Sequence, residues 1–190
     1  MKRSTSLRNL VSSGLVGLAV SVLLCGADDA KQKIDAKGLT FEAPASWKSS
    51  PPASRMRRAQ LKAEPIAGDD YPAELVVFAF PGGAGSLEAN LERWKKQFTD
   101  KDGNPPKLES KKVKGKNIEV TRVETSGHYH PSQFPGVAPE PDRQDARMLI
   151  GFVATDDASY VLKMVGPDKT MSKIRPDFDA LLATIKVEAQ

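Results

Sequence analysis

The chain has 190 residues with 28 Lys and Arg against 24 Asp and Glu, a formal charge of +4. Three of the basic residues and none of the acidic ones fall in residues 1–27, which leaves 25 basic against 24 acidic residues beyond them. That balance argues against a nucleic-acid partner, which requires concentrated positive charge. Cys25 is the single cysteine, which excludes an internal disulfide framework or a cysteine metal cage.

Lys2, Arg3 and Arg8 precede an uncharged run of Leu, Val, Ala, Gly and Ser that closes on Cys25-Gly26-Ala27. A basic start, a short apolar stretch and small residues at its end predict a cleavable export signal over 1–27, with cleavage after Ala27. The run is shorter than the ~20 apolar residues of a membrane span. Lipidation of Cys25 is the alternative end, although Leu24 replaces the small residue such signals carry. Membrane attachment is therefore expected only through an uncleaved signal or a lipidated Cys25. Residues 28–38 are charged and small and are expected to form a tether. Residues 39–188 are expected to form one domain, large enough for a packed core.

Leu39 to Ala43 alternates like a strand, is stopped by Pro44, and is followed by Trp47 as a core anchor. Arg55 to Ala63 predicts a second strand, with Met56 and Leu61 as its apolar members. Ala73 to Phe80 is almost wholly apolar and predicts a strand covered on both faces. Pro81-Gly82-Gly83-Ala84-Gly85 breaks it, and Ser86 suits the N-cap of a helix running to Thr99. Leu87, Leu91, Trp94 and Phe98 form one stripe of that helix, bordered by Asn90, Arg93 and Gln97. Lys107 to Thr125 predicts a hairpin turning near Gly115, with lysines from 111 to 116 protecting an edge. Ser126 to Asp145, with four prolines, predicts a long irregular loop.

Arg147 to Thr155 and Tyr160 to Val165 predict a second hairpin closed by Gly166-Pro167. Met171, Ile174, Phe178, Leu181, Leu182 and Ile185 share one helical face, and Pro176 predicts a break near Arg175. Hairpins interrupted by two helices predict an α+β fold, a mostly antiparallel sheet with both helices covering one face.

Phe41-x-x-Pro44-x-x-Trp47, the Ala73–Phe80 strand, the glycine break, Asn90-x-x-Arg93-Trp94-x-x-Gln97-Phe98, Gly166-Pro167 and Phe178-x-x-Leu181-Leu182 follow one another in order. This set resembles the PsbP-like fold, and in particular exported bacterial proteins of unknown function that carry the same helix. The resemblance implies an α+β sandwich over 39–188. It implies no specific activity, because members of the fold serve unrelated partners.

Three features bear on function. His128 and His130 are the only histidines, and i, i+2 spacing in a strand puts both on one face, where imidazoles can chelate Zn²⁺ or Cu²⁺. Glu140, Asp142 and Asp145 are the available oxygen ligands; the plain alternative is a polar loop edge. Asn90, Arg93, Trp94 and Gln97 could face a ligand or partner groove, or could tie the helix to nearby backbone. The glycines before Ser86 could hold an anion, but the Gly-Lys-Ser/Thr ending of a phosphate loop is absent, so a strand-to-helix reversal is expected. There is neither a Gly-x-Ser-x-Gly elbow nor a His-Glu-x-x-His pair. The sequence therefore predicts an extracytoplasmic, non-enzymatic interaction or accessory domain without a cofactor, acting on a protein partner or a small ligand. The second reading is a ligand- or metal-binding protein using the 126–145 loop.

Overall fold

The structure is a computed structural model that describes residues 1, 30–52, 54, 56–132 and 141–188. The expected export segment from residue 2 onward, with Cys25, lies outside these residues, as do Arg55 and Glu140.

The strands are β1 (Lys31–Asp35), β2 (Leu39–Pro44), β3 (Lys48–Ser49), β4 (Arg57–Ala63), β5 (Ala73–Pro81), β6 (Phe98–Thr99), β7 (Glu109–Lys114), β8 (Glu119–Tyr129), β9 (Arg143–Ala154), β10 (Ala158–Pro167) and β11 (Lys186–Val187). Helix α1 spans Leu87–Lys95 and α2 spans Asp168–Thr184. The large sheet runs β3-β4-β5-β10-β9-β8-β6, with β7 also paired to β8; the small sheet runs β1-β2-β11. Every pairing is antiparallel, as the consecutive hairpins predict.

Alternation along the central strands divides the interior into two cores. Leu75, Val77, Leu149, Val153, Tyr160, Leu162 and Met164 face α2 and the small sheet, where they meet Leu39, Phe41, Trp47, Phe178 and Leu181. Val123, Met148, Ile150, Phe152 and Val161 face the other way, where they meet Trp94 and Phe98. The two helices thus cover opposite faces of the large sheet, not one. The reason lies in β5, β9 and β10, which present apolar side chains on both sides and so require a cover for each. Trp94 and Leu181 both point inward as expected, 4% and 1% exposed, but into different cores.

Four boundaries differ from the sequence reading. The expected tether contains β1, which pairs with β2 from Lys31↔Pro44 to Asp35↔Thr40; its alternately half-buried residues belong to an edge strand, whose composition resembles a linker. Helix α1 stops at Lys95, because Phe98 is taken by β6, where it pairs with Tyr129. The long loop is much shorter than expected: β8 continues to Tyr129 and β9 begins at Arg143. Finally, α2 is continuous through Pro176.

That proline removes one helical N–H. Pro176 and Ser172, four residues earlier, are both exposed, so the carbonyl without a helical donor lies on the solvent side. Pro176→Ala restores the donor on this face. It is expected to stabilise the fold by roughly 1–2 kcal/mol after the proline's restriction of the unfolded chain is discounted, readable as a raised midpoint in urea.

Both helices begin on side-chain caps. Ser86 accepts the Ala89 N–H at 3.2 Å, as the sequence predicts. For α2 the acceptor comes from the β4–β5 connection: Asp69 takes the Thr170 N–H at 2.9 Å and the Thr170 hydroxyl at 2.6 Å. Gly151 on β9 lies directly beneath α2, where a Cβ would stand 2.5 Å from Leu182 Cδ2, so the absence of a side chain sets how closely that helix sits.

Candidate functional site

The two histidines are placed by the far end of β8. Tyr129 between them is buried against Phe98, with ring centroids 5.0 Å apart, so strand alternation turns His128 and His130 together away from that core. The β8–β9 register is irregular here, between Gly127 and Tyr129. Gly127 has φ +145° and a Cβ on it would meet the Thr99 carbonyl oxygen at 2.4 Å, so this re-aimed strand end admits only glycine.

The imidazole centroids are 4.2 Å apart. His130 Nδ1 lies 2.9 Å and His128 Nε2 3.7 Å from the same oxygen, Asp142 Oδ2. One ligand atom from each of His128, His130 and Asp142 falls within 4.8 Å of the others. The second nitrogen of His130, Nε2, is 3.0 Å from Thr99 Oγ1 on β6. Of the acidic residues proposed from sequence, Asp142 joins the histidines. Asp145 does not; it sits in β9 in a left-handed conformation, φ +47°.

The helix residues divide differently. Asn90 is buried and donates from Nδ2 to the carbonyls of Ala84 and Ser86, at 3.0 and 2.9 Å, which holds the glycine loop against the helix start. Arg93 is exposed and donates to Asn90 Oδ1 at 3.1 Å. Trp94 packs edge-on against Phe152, centroids 6.1 Å apart. Gln97 is buried; its Nε2 donates to Ser132 Oγ at 2.9 Å and its Oε1 accepts from Lys163 Nζ at 2.7 Å. Its main-chain carbonyl accepts the His130 N–H at 2.7 Å, so the end of this segment and the histidine pair meet at one place.

Three of the four therefore act in the interior, and only Arg93 offers an exposed group. Arg93→Ala is expected to shift stability by no more than about 0.5 kcal/mol, so any partner lost with it in a pull-down would mark a surface contact rather than a folding defect.

A second constellation escapes the sequence reading. Under α2, Arg122 Nη2 donates to Glu124 Oε2 at 2.6 Å and Arg122 Nε to Asp179 Oδ1 at 2.5 Å. Arg147 bridges Glu124 and Asp168, the latter at 2.9 Å. Lys111 reaches Asp179 at 3.2 Å and Arg175 lies 3.8 Å from Glu124. Burial pushes the Glu124 carboxyl up, but hydrogen bonds and charge from Arg122 and then Arg147 outweigh it and hold it below the usual carboxylate range. Burial likewise disfavours the charged form of Arg147, and Glu124 and Asp168 overcome it and raise its pKa. The one sequence clue is Arg122-x-Glu124 in a strand otherwise apolar at Val120 and Val123, with both charges on a single face.

No protein-family model and no curated protein matches the chain. Its architecture does match solved structures. The solution structure of cyanobacterial PsbP, CyanoP, from Synechocystis sp. PCC 6803 aligns with TM-score 0.52 at 15% identity, covering 94% of this chain and 99% of that one. The fold is PsbP-like. A protein from Bacteroides thetaiotaomicron aligns with TM-score 0.48 at 11% identity over 84% of this chain and 48% of that one, so the chain spans about half its length. LpqN of Mycobacterium tuberculosis, described as involved in cell envelope biogenesis, aligns with TM-score 0.45 at 12% identity over 84% and 91%. At such identities the likeness is one of backbone. In this PsbP-like frame the histidine pair stands at the β8–β9 connection and the ionic network lies beneath α2. Among the described residues no helix is long and apolar enough to cross a membrane.

Proposed function

We propose that the chain is an extracytoplasmic, non-enzymatic accessory domain, exported through residues 1–27 and acting by binding a protein partner or small ligand. The basic, apolar and small-residue order of that segment supports export. The observation that supports the non-enzymatic reading is that the buried charged side chains among the described residues, Arg122 and Glu124, are taken up in ion pairs with each other, Asp179 and Arg147. A general acid or base needs a pKa near the working pH. Glu124 and Arg147 are instead driven away from neutrality by one another and their neighbours, which suits a permanent ionic tie. The PsbP-like fold is compatible with this role without specifying a partner.

Fractionation of the native host followed by mass spectrometry of the N-terminus, with capture of partners on the intact chain, tests the proposal. The expected chain starts at Asp28, or carries lipid on Cys25, is found outside the cytoplasm and retains a defined partner. A cytoplasmic chain still bearing Met1 overturns the export reading. Hydrolytic turnover abolished by one side-chain substitution overturns the non-enzymatic one.

A further inference from the structure

We propose that His128, His130 and Asp142 bind one divalent transition ion of the imidazole-preferring class, Zn²⁺ or Cu²⁺, in a solvent-open site tuned by Thr99. The inference goes beyond the accessory role and does not depend on export.

The donor set comes first. Two imidazole nitrogens and one carboxylate suit zinc or copper, whereas calcium and magnesium require oxygen-rich cages. Ligands about 2.1 Å from a tetrahedral ion stand about 3.4 Å from one another. The observed 2.9 and 3.7 Å separations to Asp142 Oδ2 bracket that value. Small side-chain rotations therefore bring all three groups onto one ion.

Only one of the two imidazoles is hydrogen-bonded to the shared carboxylate. His130 Nδ1 at 2.9 Å is within hydrogen-bond range of Asp142. His128 Nε2 at 3.7 Å from the same oxygen is beyond it, with its ring centroid 4.2 Å from that of the other imidazole. One donor atom from each of the three residues lies within 4.8 Å of the other two, close enough for a single cation to bridge them.

Thr99 supplies the outer contact. When Nδ1 of His130 ligates an ion, its Nε2 must carry the proton, and Thr99 Oγ1 at 3.0 Å can accept it. Without the ion, the Nδ1 proton can go to Asp142 and Nε2 can accept from the same hydroxyl. A hydroxyl donates or accepts equally well, so this contact serves both states. The His130 N–H bond to the Gln97 carbonyl fixes the backbone beneath the ring. The three ligand side chains are between 34% and 56% exposed, which leaves room for water in the remaining coordination positions.

The test is calorimetric titration of the full chain with ZnCl₂, together with electron paramagnetic resonance after loading with Cu²⁺. One equivalent of zinc is expected to bind. His128→Ala and His130→Ala are each expected to weaken it at least 100-fold, with far-ultraviolet circular dichroism checking that each variant remains folded. Thr99→Val keeps every ligand and is expected to weaken binding 10- to 100-fold. The chain holds only two histidines, so imidazole-nitrogen couplings on Cu²⁺ must come from this site, even if a variant fails to fold. Absence of saturable binding, a copper signal without imidazole nitrogen, or zinc affinity unchanged in His130→Ala overturns the proposal. Full zinc affinity in Thr99→Val removes the role assigned to Thr99.

Discussion

Replacing Arg122 with alanine is expected to destabilise the fold by about 3–5 kcal/mol, as removal of one member of a buried ionic network does. Arg122 and Glu124 have side chains only 5% and 6% exposed. The substitution strips Asp179 of its closest donor and Glu124 of one of its two arginine hydrogen bonds, while leaving their charges under α2. Chemical denaturation measures the loss. The pair Lys48–Glu64 gives an internal control, since it has the same 2.6 Å separation but is 72% and 62% exposed. Lys48→Ala should leave the denaturation midpoint unchanged, because solvent screens such pairs. Equal effects of the two substitutions would show that burial is not what gives the Arg122 network its strength.

The same network sets a pH dependence. Glu124 has a folded-state pKa below its unfolded value, so its contribution is fully present above the unfolded carboxylate range. It is lost as pH falls through the depressed folded value. Stability is therefore expected to drop on acidification more steeply in the native chain than in Glu124→Gln, which has no proton to gain at that site. Parallel acid profiles for the two chains would refute this assignment.

The second large effect belongs to the opposite face. Trp94→Ala should cost about 3–5 kcal/mol, the usual range for truncating a buried aromatic side chain. Trp94 is 4% exposed and gives α1 its deepest contact with the sheet, at Phe152. Its neighbours Leu87 and Leu91 are only partly buried, so little else holds the helix down. Trp94→Phe should retain most of the stability. It also leaves Trp47, in the α2-side core, as the only indole, so fluorescence then reports that face alone. A small loss in Trp94→Ala would mean that α1 is held by its loop contacts through Asn90.

Local periodicity revealed the strands and helices because each of β5, β8, β9 and β10 buries residues in a pattern visible over a few positions. It failed where a residue serves two patterns. Phe98 continues the apolar stripe of α1, yet its partner is Tyr129 across a strand pair, and only the tertiary pairing decides between them. Lys31–Asp35 has almost no apolar pattern because an edge strand needs little, and its existence depends on β2. Pro176 was read by its intrinsic preference, which the packing of Phe178 and Leu181 overrides. The histidines were visible as a pair; choosing Asp142 over its acidic neighbours required the irregular register at Gly127. Arg122 and Glu124 were invisible as a network because charged residues in a strand ordinarily signify solvent. Asp179, which pairs with Arg122, and Asp168, which pairs with Arg147, arrive from a helix far along the chain.

The small sheet imposes an order on synthesis. Its middle strand β2 lies between β1 and β11, with Thr40 opposite both Asp35 and Lys186. Phe41 and Trp47 leave the ribosome early, but the segment that shields them, from Phe178 to Ile185, is among the last to emerge. Until then these aromatics have only the large sheet as native cover, without the helix that completes their core. A chain ending before Asp168 would leave the α2-facing side of the large sheet only partly covered, a surface suited to aggregation or to quality-control proteases.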